Sequence, residues 1–251
     1  MTVVLVHGVP ETAAVWDLLV AQLNELGETD VRTLSPPGFG APVPDGFATT
    51  MNGYRDWLVA ELESIGQPID LVGHDWGGGH VLNVAMTRPE LLRTWVSDVP
   101  GVYDPDYVWH DLAQQWQTPG VGETAIAEFV GMSSSDRANF LVGAGVDAGV
   151  AARVAEGIDD VMGQSILVLY RSAAQPAVAR VGENLEAASA RPGLALLPTE
   201  DTFVGTEEQR RRAGTRTGAR VASLEGLGHW WMTQDPAATA RLLVDFWKGH
   251  R

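Results

Sequence analysis

The chain has 251 residues, 45% of them apolar, enough for one good core with room for an inserted subdomain. Its formal charge of −15 argues against nucleic acid or an anionic membrane as a partner, and the lack of cysteine excludes disulfides, thiolate metal sites and cysteine nucleophiles. No apolar run reaches the ~18–20 residues of a membrane span, and Met1 runs straight into Thr2–Val6 without the basic start of a secretory signal, so a cytoplasmic location is expected.

In chain order, Thr2–Val6, Val31–Leu34, Ile69–Val72, Thr94–Ser97, Leu194–Leu197 and Arg220–Leu224 read as strands. Helical patterns such as Val15–Leu26, Tyr54–Ile65 and His80–Met86 lie between them. The alternation predicts an α/β fold with a mostly parallel sheet covered on both faces. The rhythm breaks between about Gly101 and Ser172, where Glu123–Val130, Asp136–Leu141, Ala148–Glu156 and Asp159–Leu169 read as helices and Val142–Ala152 as a Gly-Ala-rich loop. Ile166–Leu169 fits strand or helix, and Ser133–Ser135 is a cap cluster. The simplest division is a core of residues 1–100 and 173–251 and a helical lid of residues 101–172, set over the edge where open α/β sheets bind ligands. Near the C-terminus, Thr206 reads as a helix cap with Arg210–Arg212 in the last turn and Gly214 as terminator. Asp235, Pro236 and Gly249 bracket the final helix.

Gly73-His74-Asp75-Trp76-Gly77-Gly78 follows the third strand and opens a helix. In hydrolases with a G-x-S-x-G elbow, the central residue sits on a strained turn with its reactive atom exposed. Here that residue is Asp75. A carboxylate there attacks carbon and makes an alkyl ester, which points to epoxides or alkyl halides as substrates. His7-Gly8-Val9-Pro10 follows the first strand, and the loop at this place supplies one oxyanion-hole N–H, with the residue after the nucleophile supplying the other. Those donors are Val9 and Trp76. Gly226-Leu227-Gly228-His229 follows the last strand and offers His229 as general base. Pro198-Thr199-Glu200-Asp201 offers an acid to orient it; Asp201 is preferred to Glu200, with Asp98 after the fourth strand as fallback.

With these segments in hand, the chain resembles the α/β-hydrolase superfamily, in its epoxide hydrolase and haloalkane dehalogenase branch. The resemblance covers nearly the whole chain and is carried by His7–Pro10, Gly73–Gly78, Thr199–Asp201 and Gly228–His229. It implies an α/β-hydrolase fold with a helical lid, a catalytic set of Asp75, Asp201 and His229, and no cofactor. The strand before His7 begins at residue 2, so the usual first two strands of the family are expected to be absent and the sheet to hold about six. Leu169-Tyr170-Arg171 is similar to the Tyr-Arg motif near the end of epoxide hydrolase lids, which implies that Tyr170 donates to the epoxide oxygen. The family's second tyrosine falls at Leu112; Tyr107 or His110 is the favoured substitute, with Trp109 and Tyr103 also considered. Dehalogenases of the family usually carry asparagine after His-Gly, where this chain has Val9.

Among the 9 tryptophans, Trp16, Trp57, Trp95 and Trp247 read as packing, and Trp109, Trp116, Trp230 and Trp231 as candidates for an apolar pocket. His74 reads as a spacer in the elbow and His80 as a helix-face residue. No metal-ligand spacing stands out. The expected activity is hydrolysis of a small apolar epoxide by a monomer or homodimer. A haloalkane dehalogenase and a non-catalytic hydrolase-fold binding protein are the alternatives.

Overall fold

A computed structural model describes residues 1–250 of the chain. Six strands form one parallel sheet: β1 (Val3–Val6), β2 (Val31–Leu34), β3 (Ile69–Gly73), β4 (Leu92–Ser97), β5 (Gly193–Pro198) and β6 (Arg220–Leu224). Their spatial order is β2-β1-β3-β4-β5-β6. Burial follows position in the sheet. Every residue of β1, β3 and β5 is buried, whereas β2 and β6 at the edges are half-exposed. Continuous apolar runs therefore mark the strands covered on both faces.

Because all pairings are parallel, the segments after β1, β3, β4, β5 and β6 emerge at one edge of the sheet. The chain passes from β1 to β2 on one side, then returns to place β3 on the other. That reversal opens the crevice in which α/β proteins bind ligands. Helices α1 (Asp17–Glu25), α2 (Met51–Ile65) and α3 (Trp76–Thr87) connect the first four strands.

Between β4 and β5 the chain makes α4 (Asp111–Gln117), α5 (Val121–Gly131), α6 (Ser134–Ala144), α7 (Ala148–Glu156), α8 (Asp160–Ser172) and α9 (Ala177–Gly182). Ser133, Asp147 and Asp159 cap α6, α7 and α8 by accepting first-turn N–H groups. Arg137 ties these helices together, donating to the carbonyls of Val130 and Ile158 at 3.1 and 2.8 Å. The chain ends with α10 (Glu207–Arg216), α11 (Trp231–Gln234) and α12 (Pro236–Lys248). No helix among the described residues is long and apolar enough to cross a membrane.

Several local expectations are corrected. Val142–Ala152 is mostly helix, split between α6 and α7, since only Gly145 adopts a left-handed turn. Ile166–Leu169 lies within α8, with Ile166, Leu167 and Leu169 buried and Val168 exposed. Gly214 lies inside α10 rather than ending it. A Cβ there would meet Ala195 and Val221 at 3.2 Å, so glycine serves close helix–sheet packing. Helix α4 escaped the sequence reading because seven residues give too short a periodic signal, and its cap is the unconventional His110.

Candidate active site

The site begins at the turn between β3 and α3. Asp75 is the only non-glycine residue with positive φ among the described residues, at φ 50° and ψ −125°. The surrounding glycines allow that turn. A Cβ on Gly77 would lie 2.1 Å from the Val6 carbonyl oxygen, so only glycine lets α3 start so close to β1. The strain is held by hydrogen bonds: the Asp75 N–H donates to Asp98 Oδ1 at 3.0 Å, and the Gly79 N–H to the Asp75 carbonyl at 3.0 Å.

The Asp75 carboxylate faces two partners. Its Oδ1 accepts the Val9 N–H at 2.9 Å, and its Oδ2 lies 3.6 Å from His229 Nε2. His229 Nδ1 donates to Asp201 Oδ2 at 2.8 Å, while Asp201 Oδ1 accepts the Phe203 N–H at 2.8 Å. Asp201, not Glu200, is thus the partner of His229. Burial works against charge on both residues. For His229, Asp201 and Asp75 outweigh it and hold the imidazole well above its ordinary pKa. For Asp201, His229 and the Phe203 N–H outweigh it and hold the carboxyl below the usual range. Trp76 opens α3 beside Asp75, where first-turn amides have no acceptor within the helix.

A cavity of about 220 Å³ opens on these groups. Asp75, His229 and Val9 form its floor; Tyr170, His110 and Trp116 come from the segment between β4 and β5, and Trp230 and Phe203 from the last loops. Tyr170 is buried against the rings of Trp76, Trp109 and Trp116. Burial and the Asp75 charge push its phenol well above the ordinary value, so it holds its proton. The other candidate donors separate clearly. Tyr107 is corrected as a free donor: its hydroxyl is committed to the Phe203 carbonyl at 2.8 Å, and it does not line the cavity. The Tyr103 hydroxyl likewise donates to the Gly79 carbonyl at 2.9 Å. His110 lines the cavity, and its Nδ1 accepts the Ala113 N–H at 3.3 Å, which leaves the proton of its neutral form on Nε2. Burial lowers its pKa. Trp109 lines a second, smaller cavity beside Asp75 rather than the main one, and its indole N–H is buried without a partner. Trp231 also lies outside the main cavity, with its N–H on Asp98 Oδ2 at 2.7 Å.

Sequence reasoning missed a buried charged network beneath the elbow. His74 is no spacer: its Nδ1 lies 2.5 Å from Asp98 Oδ2 and its Nε2 3.1 Å from Glu11 Oε1. Glu11 also accepts the Gly8 N–H at 2.9 Å and the Trp230 indole N–H at 2.5 Å. Burial disfavours the His74 cation, but Glu11 and Asp98 outweigh it and raise the imidazole to about 10. The available signal was Glu11 itself, a carboxylate directly after the His-Gly-Val-Pro turn. His80, by contrast, stacks on Tyr54 in the core and is pushed down by burial to about 3. No group of three or more His, Cys, Asp or Glu among the described residues is arranged to hold a metal ion.

Residues 3–242 match the alpha/beta hydrolase family. A stretch of 97 residues is 32% identical to an epoxide hydrolase of Caballeronia sordidicola, covering 36% of this chain and 28% of that protein. Another, of 141 residues, is 25% identical to the AB hydrolase superfamily protein YfhM of Bacillus subtilis (strain 168), covering 50% of this chain and 48% of that protein. The chain therefore spans less than half the length of either curated relative in these matches. The crystal structure of the haloalkane dehalogenase DbeA from Bradyrhizobium elkani USDA94 superposes with a TM-score of 0.70 over 99% of this chain and 91% of its own, at 19% identity, a likeness of fold. The strained turn at the end of a central parallel strand and the match over almost the whole sequence lead to one assignment: the chain belongs to the alpha/beta hydrolase family.

Proposed function

We propose that the chain is a hydrolase that opens a small apolar epoxide to a vicinal diol through an alkyl ester on Asp75. The observation that carries this reading is the placement of Asp75 Oδ2 in one cavity with His229 and the buried, protonated Tyr170. Residues 101–172 act as a lid over the core of residues 1–100 and 173–251.

Oδ1 is held by the Val9 N–H, so Oδ2 is the oxygen that attacks. Its bond to an epoxide carbon forms as the carbon–oxygen bond of the ring breaks, and the alkoxide takes its proton from Tyr170. His110 Nε2–H is the second donor of the lid. Alkylation removes the Asp75 charge. That charge is one of the two main reasons the Tyr170 phenol resists ionisation, so it becomes easier to deprotonate as the alkoxide forms. The same loss lowers His229, which gives its proton up to solvent and becomes a base. His229, oriented by Asp201, then takes a proton from water as the water oxygen bonds to the ester carbonyl carbon of Asp75. The Val9 and Trp76 N–H groups hold the oxyanion. Its collapse breaks the ester and the leaving alkoxide takes the proton from His229; the proton of the regenerated Asp75 acid restores Tyr170, and His229 takes one back from solvent as the Asp75 charge returns. No cofactor takes part.

The cavity wall supports an apolar, uncharged substrate. Leu112, Phe129, Met132, Phe140 and Leu141 line it; among the described residues no lysine or arginine does, and Glu128 is its one carboxylate besides Asp75. An anionic substrate would find only the His229 cation there, already paired with Asp201 and beside the Asp75 charge.

Haloalkane dehalogenation with the same nucleophile is the second reading. It is favoured by the unpartnered indole N–H of Trp109 beside Asp75, a donor that can stabilise a halide without giving up a proton. A side-by-side screen of styrene oxide, cyclohexene oxide and bromoalkanes separates the two. Diol formation is expected; halide release without diol would transfer the assignment to the dehalogenase reading, and turnover of neither would leave a binding protein.

A further inference from the structure

We propose that Glu11, His74 and Asp98 form a carboxylate–imidazolium–carboxylate relay that positions the Asp75 elbow, the Gly8–Val9 amides and the His229 loop for ester hydrolysis. The proposal rests on the Asp75–His229 reading above and assigns work to three buried groups that the chemistry itself does not touch.

The charge state follows from geometry. Both ring nitrogens of His74 face carboxylate oxygens, at 2.5 and 3.1 Å. A neutral imidazole has one N–H and one lone pair, so one nitrogen would oppose a carboxylate lone pair to lone pair. With both carboxylates ionised, only the imidazolium satisfies both. The side chains of Glu11, His74 and Asp98 are all fully buried, where an ion persists only if it is paired and hydrogen-bonded.

Each of the two carboxylates accepts three donors. Glu11 accepts from Gly8 N, Trp230 Nε1 and His74 Nε2. Asp98 accepts from Asp75 N, Trp231 Nε1 and His74 Nδ1. The donors come from the loops after β1 and β3 and from the residues directly after His229. Gly8 precedes Val9, whose N–H holds Asp75 Oδ1, and Trp230 follows His229. The relay therefore grips both flanks of the catalytic geometry. A glutamine at position 11 would turn an N–H toward the Gly8 N–H or toward the Trp230 and His74 donors, so the carboxylate is required as a group that only accepts.

The other charged or titratable groups near His74 are few. His229 lies against it with ring centroids 4.6 Å apart, His7 interacts with it, and Asp75 acts on Glu11. Burial, foremost, keeps His7 below its ordinary pKa, so it adds no second cation beside the relay. The neighbouring Trp16 and Trp231 rings meet His74 edge-on and close the site to water.

Two measurements on the full chain test the relay. The first follows the ring nitrogens of isotope-labelled histidines by NMR at about pH 8, with His74 identified through its contacts to the Trp231 ring. Both nitrogens are expected to carry protons; a neutral His74 overturns the proposal. The second uses single turnovers of styrene oxide, with ester formation and ester hydrolysis timed separately by intact mass. In Glu11→Gln, ester hydrolysis is expected to slow roughly tenfold or more at an unchanged titre of reactive sites, with partial recovery in Glu11→Asp. A fallen titre with an unchanged rate per site would show a merely structural role and overturn the proposal. Should Glu11→Gln not fold, Trp230→Phe removes one donor and keeps the ring. Slower ester hydrolysis is then expected, and an unchanged rate overturns the positioning role. A parent protein that forms no ester at all would sink the proposed function and the positioning role together, whereas normal turnover in the parent with unaffected variants would sink the relay alone.

Discussion

Oδ2 of Asp75 stands 3.6 Å from Nε2 of His229, too far for a hydrogen bond and close enough for the carboxylate charge to act on the imidazole. Asp75 is one of the groups that raise the His229 imidazole, together with the hydrogen-bonded Asp201. Removing a neighbouring negative charge disfavours the cation, so Asp75→Asn, which imitates the neutral ester, is expected to lower the His229 pKa. Histidine NMR titrations of parent and variant check this; an unchanged or higher midpoint contradicts it. By the same sign, ester hydrolysis should be slow at low pH, where His229 is protonated, and rise as pH passes the lowered midpoint.

Replacing His229 by Gln removes the base and leaves the nucleophile. The ester should accumulate on the protein, with overall turnover reduced by roughly 10²–10⁴-fold. Intact mass after exposure to a reactive epoxide reads the adduct directly. A protein that stays at its unmodified mass would count against Asp75 as nucleophile.

Tyr170→Phe keeps the ring that packs among Trp76, Trp109 and Trp116 and deletes the proton donor. Ring opening should slow by roughly 10²-fold or more, while hydrolysis of a preformed ester changes little. Equal ring-opening rates in variant and parent would remove Tyr170 from the mechanism and move attention to His110.

Two glycines separate stability from activity. A Cβ on Gly77 meets the backbone oxygens of Val6 and His7 at 2.1 and 2.6 Å, and backbone cannot step aside. Gly77→Ala should destabilise the fold by about 1–3 kcal/mol, read by denaturant unfolding. A Cβ on Gly8 meets the Asp75 side chain instead, with Oδ1 at 2.3 Å. Gly8→Ala should displace that carboxylate and lose most activity at a smaller loss of stability. The opposite ranking in unfolding experiments would show that the elbow is not packed as described.

Charge at the cavity should select among substrates. Of two matched epoxides, a carboxylate and its methyl ester, the ester should be the better substrate by kcat/KM. Glu128→Gln should narrow that gap by about twofold to fivefold, the scale of one partly solvated charge at such distances. A preference for the anion would mean that the substrate approaches by another path.

Much of the architecture was readable without coordinates, because hydrophobic period and glycine turns are local. All six strand segments and most helices occur within a few residues of their expected bounds. The elbow announced itself through Gly73–Gly78, since close backbone approach leaves little choice of residue there. Short helices such as α4 and α9 did not, because a single turn or two carries no period to detect.

The sequence by itself determined the order of the chemistry-bearing loops along the chain and the edge of the sheet that gathers them, since parallel strands with right-handed crossovers admit few arrangements. The tertiary structure alone decided which side chains are committed elsewhere. Tyr107 turns its hydroxyl to a carbonyl 96 residues away, and His74 finds Glu11 across a separation of 63 residues. Hydrogen bonds and buried charges are settled by tenths of an ångström and by exposure to water. Neither quantity is written in the spacing of residues; both exist only once the core has closed around them.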